Sequence, residues 1–520
     1  MTRSEQDEAL RGVARQPSLI EFFEITGLFG YRTVGLSSSN AASILIARNG
    51  SGKTTLLAAL DAFLRGQFSR FAGLQFERIT CVLRGNNPMV LYRDDVDKLT
   101  ELSANSEFVV RAKAWEVEPL ALLELLETNL KDLKFAELAE NPTFYAIYSK
   151  LGYDFSVARS QCERLAQSMR GKSPNIDWLR DSLRQSLQGF EIVYLPTYRR
   201  IELSLPDSET RPGQRRKNIL ARLGIARSGL YTADIQFGLG DISARLKTLY
   251  SDMRYLSNQG YGKISANVIN DLISGGYKQD DDKAYDLPSK DSLEIFFSRL
   301  KDGEDAYRNV RYGSYFATPD LSKVYSDDVP NDARPFLEYF LHQLNSVIKE
   351  TRGTEDLVEA FRSSCNKYLS GDDESTDQYG NSTEDEFDNK VLDFNRRNLT
   401  VKVMGSASGK EVPLESLSSG EKQMISLFAR LYLYPGDKIV LIDEPELSLS
   451  LDWQRQILPD VLTAPTCRQL IAITHSPFIF DNALEDFAGP LRLRVNPMSG
   501  PDMFGASAFD QMDEDGDDPS

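Results

Sequence analysis

A glycine-rich run that ends in lysine and threonine, Ala47-Arg48-Asn49-Gly50-Ser51-Gly52-Lys53-Thr54-Thr55, has the residue types needed to hold a row of phosphates. Glycines let backbone N–H groups approach phosphate oxygens, and the start of a helix adds a favourable dipole. Lys53 supplies positive charge, and the Thr54 hydroxyl is a hard oxygen ligand for Mg2+. Asn49, Gly50, Ser51, Gly52 and Thr55 complete the candidate cradle. Ala47 stands where the pattern asks for glycine, but that first position needs mainly a compact residue, so the rest of the loop is intact.

Far downstream, Asp443-Glu444 follows the apolar run Lys438-Ile439-Val440-Leu441-Ile442. Carboxylates at the carboxyl end of a buried strand sit where open α/β sheets bind ligands. Asp443 suits a metal ligand acting through water, and Glu444 suits a base that polarises an attacking water. Gln469-Leu470-Ile471-Ala472-Ile473 is another apolar strand, and it delivers His475 to the same edge as a candidate γ-phosphate contact. Between Leu417 and Gln423, Ser418 and Glu421 have the spacing of a capping box, while Ser418, Ser419 and Gly420 at that helix start also suit an anion.

The elements that must position these residues are legible around them. Ser43-Ile44-Leu45-Ile46 reads as a strand buried on both faces, and Thr54 to Leu64 carries apolar residues at helical spacing. Leu19 to Leu36 reads as strand, turn, strand, and Leu74 to Tyr92 as a hairpin around Gly85-Asn86-Asn87-Pro88. Leu120 to Leu187 turns helical before a strand at Glu191 to Pro196. Beyond it lie long polar, mainly helical segments broken by the acidic stretches Asp280 to Asp282 and Asp372 to Asp388.

With 520 residues, 41% of them hydrophobic, the chain has room for about three domains by the usual ~150 residues each. A formal net charge of −17 argues against a generally basic nucleic-acid coat and leaves room for local basic patches. Cys81, Cys162, Cys365 and Cys467 are scattered singly, which suggests neither a disulfide framework nor a zinc ribbon and fits a reducing compartment. With His342 and His475 as the only histidines, a His-rich metallonuclease site cannot be built from this chain alone. Met1 to Ser18 lacks the apolar core of a signal peptide, and no run of ~18 apolar residues occurs, so the expectation is a cytoplasmic protein that does not enter a membrane.

In order and spacing, the Lys53 loop, the Ser418-Ser419-Gly420 element, Asp443-Glu444-Pro445 and His475 resemble the ATP-binding-cassette (ABC) ATPases. The 365 residues from Lys53 to Ser418 exceed a transporter cassette and are similar to the branch containing SMC, RecF, the double-strand-break-repair ATPases and the overcoming-lysogenization-defect nucleases. Tyr194 to Glu202 and Ile235 to Asp241 look most like the PtuA family, the ATPases of Septu and Septu-type retron antiphage systems. A carboxy-terminal nuclease domain would need about a hundred residues, and 45 follow His475, so the expectation is an ATPase that works with a separate effector.

The resemblance implies an α/β fold: a P-loop ABC-type ATPase head with large, mainly helical insertions. Its head parts would be residues 19–114, 191–202 and 395–508, its insertions 115–190 and 203–394, with a flexible 1–18 and an acidic tail 509–520. It further implies ATP and Mg2+ as ligands, Lys53, Glu444 and His475 as catalytic residues, and Thr54 and Asp443 at the metal. Two copies, in a homodimer or higher oligomer, would sandwich ATP between Lys53 and Thr54 of one and Ser418, Ser419 and Gly420 of the other. The implied partners are an HNH nuclease (PtuB-like) and, in retrons, a reverse transcriptase with its RNA–DNA product. Two alternatives stand beside this reading: a RecF-like or break-repair-like ATPase that clamps DNA, and a non-hydrolysing ATP-bound scaffold. From Arg199 to Arg227, eight basic residues against three acidic ones form a stretch that either holds nucleic-acid phosphates or is a basic helix, solvated or docking the acidic tail.

Overall fold

Along the chain of the computed structural model run helix α1 (Arg3–Ala14), strands β1 (Ile20–Leu28), β2 (Arg32–Ser37) and β3 (Ala42–Ile46), helix α2 (Lys53–Leu64), and strands β4 (Arg78–Leu83) and β5 (Met89–Tyr92). Helices α3 (Arg93–Thr100), α4 (Glu107–Ala114), α5 (Pro119–Glu127), α6 (Pro142–Lys150), α7 (Phe155–Ser168) and α8 (Pro174–Ser186) lead to β6 (Phe190–Leu195). Next come α9 (Leu239–Ser274), α10 (Lys290–Asp305), α11 (Arg334–Leu369) and the hairpin β7 (Lys390–Asn395) and β8 (Thr400–Gly405). The chain closes with α12 (Ser419–Leu433), β9 (Asp437–Asp443), α13 (Leu451–Leu462), β10 (Cys467–Thr474), β11 (Ala488–Pro490) and β12 (Arg492–Val495).

The structure describes residues 3–101, 106–128, 130, 138, 141–196, 230, 239–274, 285–305, 319–321, 323–325, 329–370, 389–413 and 416–495. The basic stretch 199–227, the acidic loop 371–388 and the tail 509–520 lie outside them. The chain divides into two units, one of residues 1–19, 38–66 and 182–490, the other of 20–37, 67–181 and 491–520.

The first unit holds a parallel sheet in the order β11-β3-β10-β9-β6. Its central strands are buried almost end to end, which is why Ala42–Ile46, Ile439–Ile442 and Leu470–Ile473 are apolar runs without alternation. Register decides what these strands deliver: Thr474 pairs with Ile46, and Ile473 with Asp443. The loops after β3, β9 and β10 therefore emerge side by side at one carboxyl edge. Helix α2 packs on β9 and β6, α13 on β10, and α12 on α11. Met424, Phe428 and Leu431 of α12 share a core with Val358, Phe361 and Cys365 of α11 and with Ile457 and Val461 of α13.

Residues 1–18 were expected to be flexible, yet Arg3–Ala14 is helical, because Leu10, Val13 and Ala14 give it an apolar face that joins this core. Ala41 and Ser18 are tied back by backbone hydrogen bonds to Gln16 and Ser39. A separate apolar cluster forms where α9, α10 and α11 meet, around Val268, Phe296 and Leu344. Gly260 of α9 permits that crossing, since a Cβ there would lie 2.6 Å from Val347 Cγ1.

The second unit is built on an antiparallel sheet in the order β12-β2-β1-β4-β5. Phe23, Ile25, Val34, Leu36, Ile79 and Cys81 form its buried face. The stretch 19–114, expected as one piece of the head, is thus shared: 38–66 belong with the parallel sheet, and 20–37 and 67–114 with the antiparallel one. The cause is β-pairing, since β1 finds its partners in β2 and β4, while β3 finds its partner in β10 more than four hundred residues on.

Candidate functional site

Every residue of the candidate site lies in the first unit, at the carboxyl edge of its parallel sheet. The loop after β3 turns through Gly50 (φ 78°) and Gly52 (φ 94°), both in the left-handed region that glycine enters without strain. Gly52 caps α2, and Lys53 and Thr54 are the first residues of that helix. Ala47 is buried and donates its N–H to the Thr474 carbonyl at 3.2 Å, which ties the start of the loop to the end of β10.

From α2 the two polar side chains reach the end of β9. Lys53 Nζ donates to Glu444 Oε1 at 2.6 Å and to Asn49 Oδ1 at 3.1 Å, and Thr54 Oγ1 donates to Asp443 Oδ2 at 2.6 Å. The Lys53 and Glu444 side chains are 5% and 16% exposed and Asp443 is fully buried, so the ion pair and the Thr54–Asp443 hydrogen bond are largely shielded from water. Glu444 has φ 51°, a left-handed conformation uncommon for a residue with a side chain, held by its N–H donating to the Ile473 carbonyl at 2.8 Å. Such strain is of order 1–3 kcal/mol and collects at functional sites.

His475 extends from the end of β10, with Nδ1 3.9 Å from Glu444 Oε1. Its closer partner was not singled out in the sequence: the buried Glu446, whose Oε1 is 2.8 Å from Nδ1. Gln454 of α13, likewise overlooked, donates to the Leu449 carbonyl at 3.1 Å and accepts from Ser476 Oγ at 2.8 Å, joining the segment after β9 to the segment after β10. Glu446 stands two residues after Glu444, and that closeness to the Asp443-Glu444 pair was its signal in the sequence; Gln454 carried none.

Ser418, Ser419 and Gly420 form a second cluster at the start of α12. The capping box is complete: Glu421 N–H donates to Ser418 Oγ at 3.2 Å, and Ser418 N–H to Glu421 Oε2 at 2.6 Å. Lys390 of β7 donates to both Glu421 oxygens at 3.0 Å. A Cβ on Gly420 would come within 2.2 Å of the Ser448 carbonyl oxygen, so only glycine fits at this backbone approach. At the other end of α12, buried Lys438 donates to the carbonyls of Tyr434 and Gly436 at 2.9 and 3.0 Å; burial pushes its pKa down and the Glu191 carboxylate pulls it back up.

These residues fit a magnesium nucleotide. Ser51 Oγ is buried with no hydrogen-bond partner among the described residues, a Cβ at Gly50 would meet nothing within 4 Å, and Thr54 and Asp443 present two hard oxygens to one point. Among the described residues no helix is long and apolar enough to cross a membrane.

A family profile described as "AAA domain, putative AbiEii toxin, Type IV TA system" matches residues 225–481, a span that holds Ser418, Asp443, Glu444 and His475. No curated protein sequence matches the chain. Among solved structures, an Smc head domain with an extended coiled coil, bound to the C-terminal domain of ScpA and derived from Pyrococcus furiosus, aligns with 92% of this chain and 96% of its own at 13% identity, with a TM-score of 0.29. The chain has an α/β P-loop fold with helical insertions, and its residues 225–481 are similar to an AAA domain.

Proposed function

We propose that the chain binds Mg–ATP at the Lys53 loop and hydrolyses it, and that two copies close over two nucleotides. One observation carries the reading: Lys53 and Thr54 meet Glu444 and Asp443 directly, although 389 or more positions separate them in the chain. The Lys53 ammonium would face the phosphates, and Thr54 and Asp443 would hold Mg2+, which would supply charge neutralisation for the phosphate oxygens. Phosphate replaces Glu444 as the partner of Lys53, and the released carboxylate polarises the attacking water. His475 contacts the γ-phosphate, and Ser418, Ser419 and Gly420 of a second copy complete the site from across the dimer.

The reading extends to antiphage defence of the Septu or Septu-type retron kind, in which head engagement controls a separate HNH nuclease. The segments Tyr194 to Glu202 and Ile235 to Asp241 support it by resemblance, and the matched family's description, a toxin of a toxin–antitoxin system, belongs to the same broad setting. The purified chain should release phosphate from Mg–ATP, and Glu444→Gln should slow turnover by roughly 10²- to 10⁴-fold while ATP stays bound. Wild-type turnover in that variant removes Glu444 as the base, and no phosphate release from the unsubstituted chain rejects the ATPase assignment; loss of phage protection on deleting an adjacent nuclease frame tests the defence role separately.

A further inference from the structure

We infer that Glu446 is a positioning residue for His475 and dictates which ring nitrogen the histidine offers to substrate. The His475 side chain is 47% exposed, and an imidazole so open to water ordinarily turns about its side-chain bonds. Here it is anchored from beneath. Glu446 Oε1 accepts the His475 backbone N–H at 3.0 Å and lies 2.8 Å from Nδ1 of the same residue, while Oε2 accepts the Thr474 hydroxyl at 2.8 Å. One carboxylate, 6% exposed, thereby fixes the end of β10 and the ring beyond it.

The chemistry of the pair decides the proton's place. An ionised carboxylate only accepts hydrogen bonds, so the nitrogen 2.8 Å from it carries the proton. That nitrogen is Nδ1, which leaves Nε2 as the ring nitrogen facing outward. The other carboxylate nearby, Glu444, is 3.9 Å from Nδ1, too far to compete for the same proton. Free histidine in its neutral form prefers the proton on Nε2, so the tautomer set by Glu446 is the opposite of the default. Thr474 makes the arrangement specific: its hydroxyl occupies Oε2, which holds Oε1 toward His475. Carboxylates that orient a functional imidazole through Nδ1 are typically worth 10- to 100-fold in function, through geometry and not through contact with substrate.

The catalytic consequence rests on the ATPase reading above, but the tautomer does not, and the test separates them. Nitrogen-15 NMR of the nucleotide-free chain, at a pH where imidazole is neutral, has two histidines to resolve, and His342→Gln assigns them. His475 should appear with its proton on Nδ1. Glu446→Ala should move that proton to Nε2 and lower kcat by about 10- to 100-fold with KM for ATP changed far less, and Glu446→Gln, which keeps an acceptor oxygen, should recover much of the rate. A wild-type His475 protonated on Nε2, or a Glu446→Ala chain with unchanged kcat, overturns the inference. A chain with the Nδ1 tautomer but no ATP hydrolysis overturns the ATPase reading and leaves the positioning role of Glu446 intact.

Discussion

The Thr54 hydroxyl donates to Asp443 Oδ2 at 2.6 Å, joining the first turn of α2 to the last residue of β9. Two oxygens at that separation, one neutral and one charged, are the pair that a small hard cation would take from one side. Thr54→Val keeps the shape of the side chain and removes the hydroxyl, so the fold should survive while metal is held more weakly. The Mg2+ concentration needed for half-maximal nucleotide binding should rise by about tenfold or more, as measured by fluorescent-nucleotide titration across Mg2+ concentrations. An unchanged Mg2+ requirement would remove Thr54 from the metal site.

Gly420 lies against the Ser448 carbonyl so closely that any Cβ would sit 2.2 Å from its oxygen. Ser448 itself has φ 64°, so that segment is already in a left-handed conformation and yields poorly. Gly420→Ala should therefore cost about 1–3 kcal/mol of stability by forcing the start of α12 away from Ser448. Denaturant unfolding measures this directly, with Ser419→Ala as the neighbouring control. If Gly420 serves only a ligand, the alanine variant will be as stable as the control in the absence of nucleotide.

What was legible in the sequence follows from how locally each feature is encoded. Strands β3, β9 and β10 are buried over most of their length, so each carries an apolar run, and the residues that end them announce their chemistry by type. Glu446 was not legible as a partner of His475, because the contact depends on the parallel register of β9 against β10, which no local pattern records. Helix α1 was hidden by its charge, since Leu10, Val13 and Ala14 are a thin apolar stripe in a polar segment. Strand β12 shows no alternation to read, as all four of its residues are exposed at the sheet edge. The division into two units was equally hidden: it is set by which strands pair, and β2 and β3, neighbours in sequence, pair in different sheets.

All four cysteines are buried, Cys81 and Cys162 in the second unit and Cys365 and Cys467 in the first, so their thiols report on each unit in turn. Burial pushes Cys162 and Cys467 up to about 12, and raises Cys81 and Cys365 as well, because a thiolate in an apolar interior lacks solvation. At a pH near the ordinary thiol value of about 8.5, Cys162 and Cys467 carry roughly a thousandth of the thiolate of an exposed cysteine. Iodoacetamide should leave all four untouched in the native chain and modify them only as the unit that holds them opens, read by mass spectrometry across a denaturant series. The same shifts fix the direction of the alkaline response. These thiols keep their protons in the folded state after the unfolded chain has lost them, so their contribution to stability is full below about pH 8.5. It declines as pH rises toward the folded values, by up to about 1.4 kcal/mol per pH unit for each cysteine. Replacing Cys467 with serine or alanine should flatten that decline in the first unit; an unchanged alkaline slope would show that its thiol ionises in the folded protein as readily as in the unfolded one.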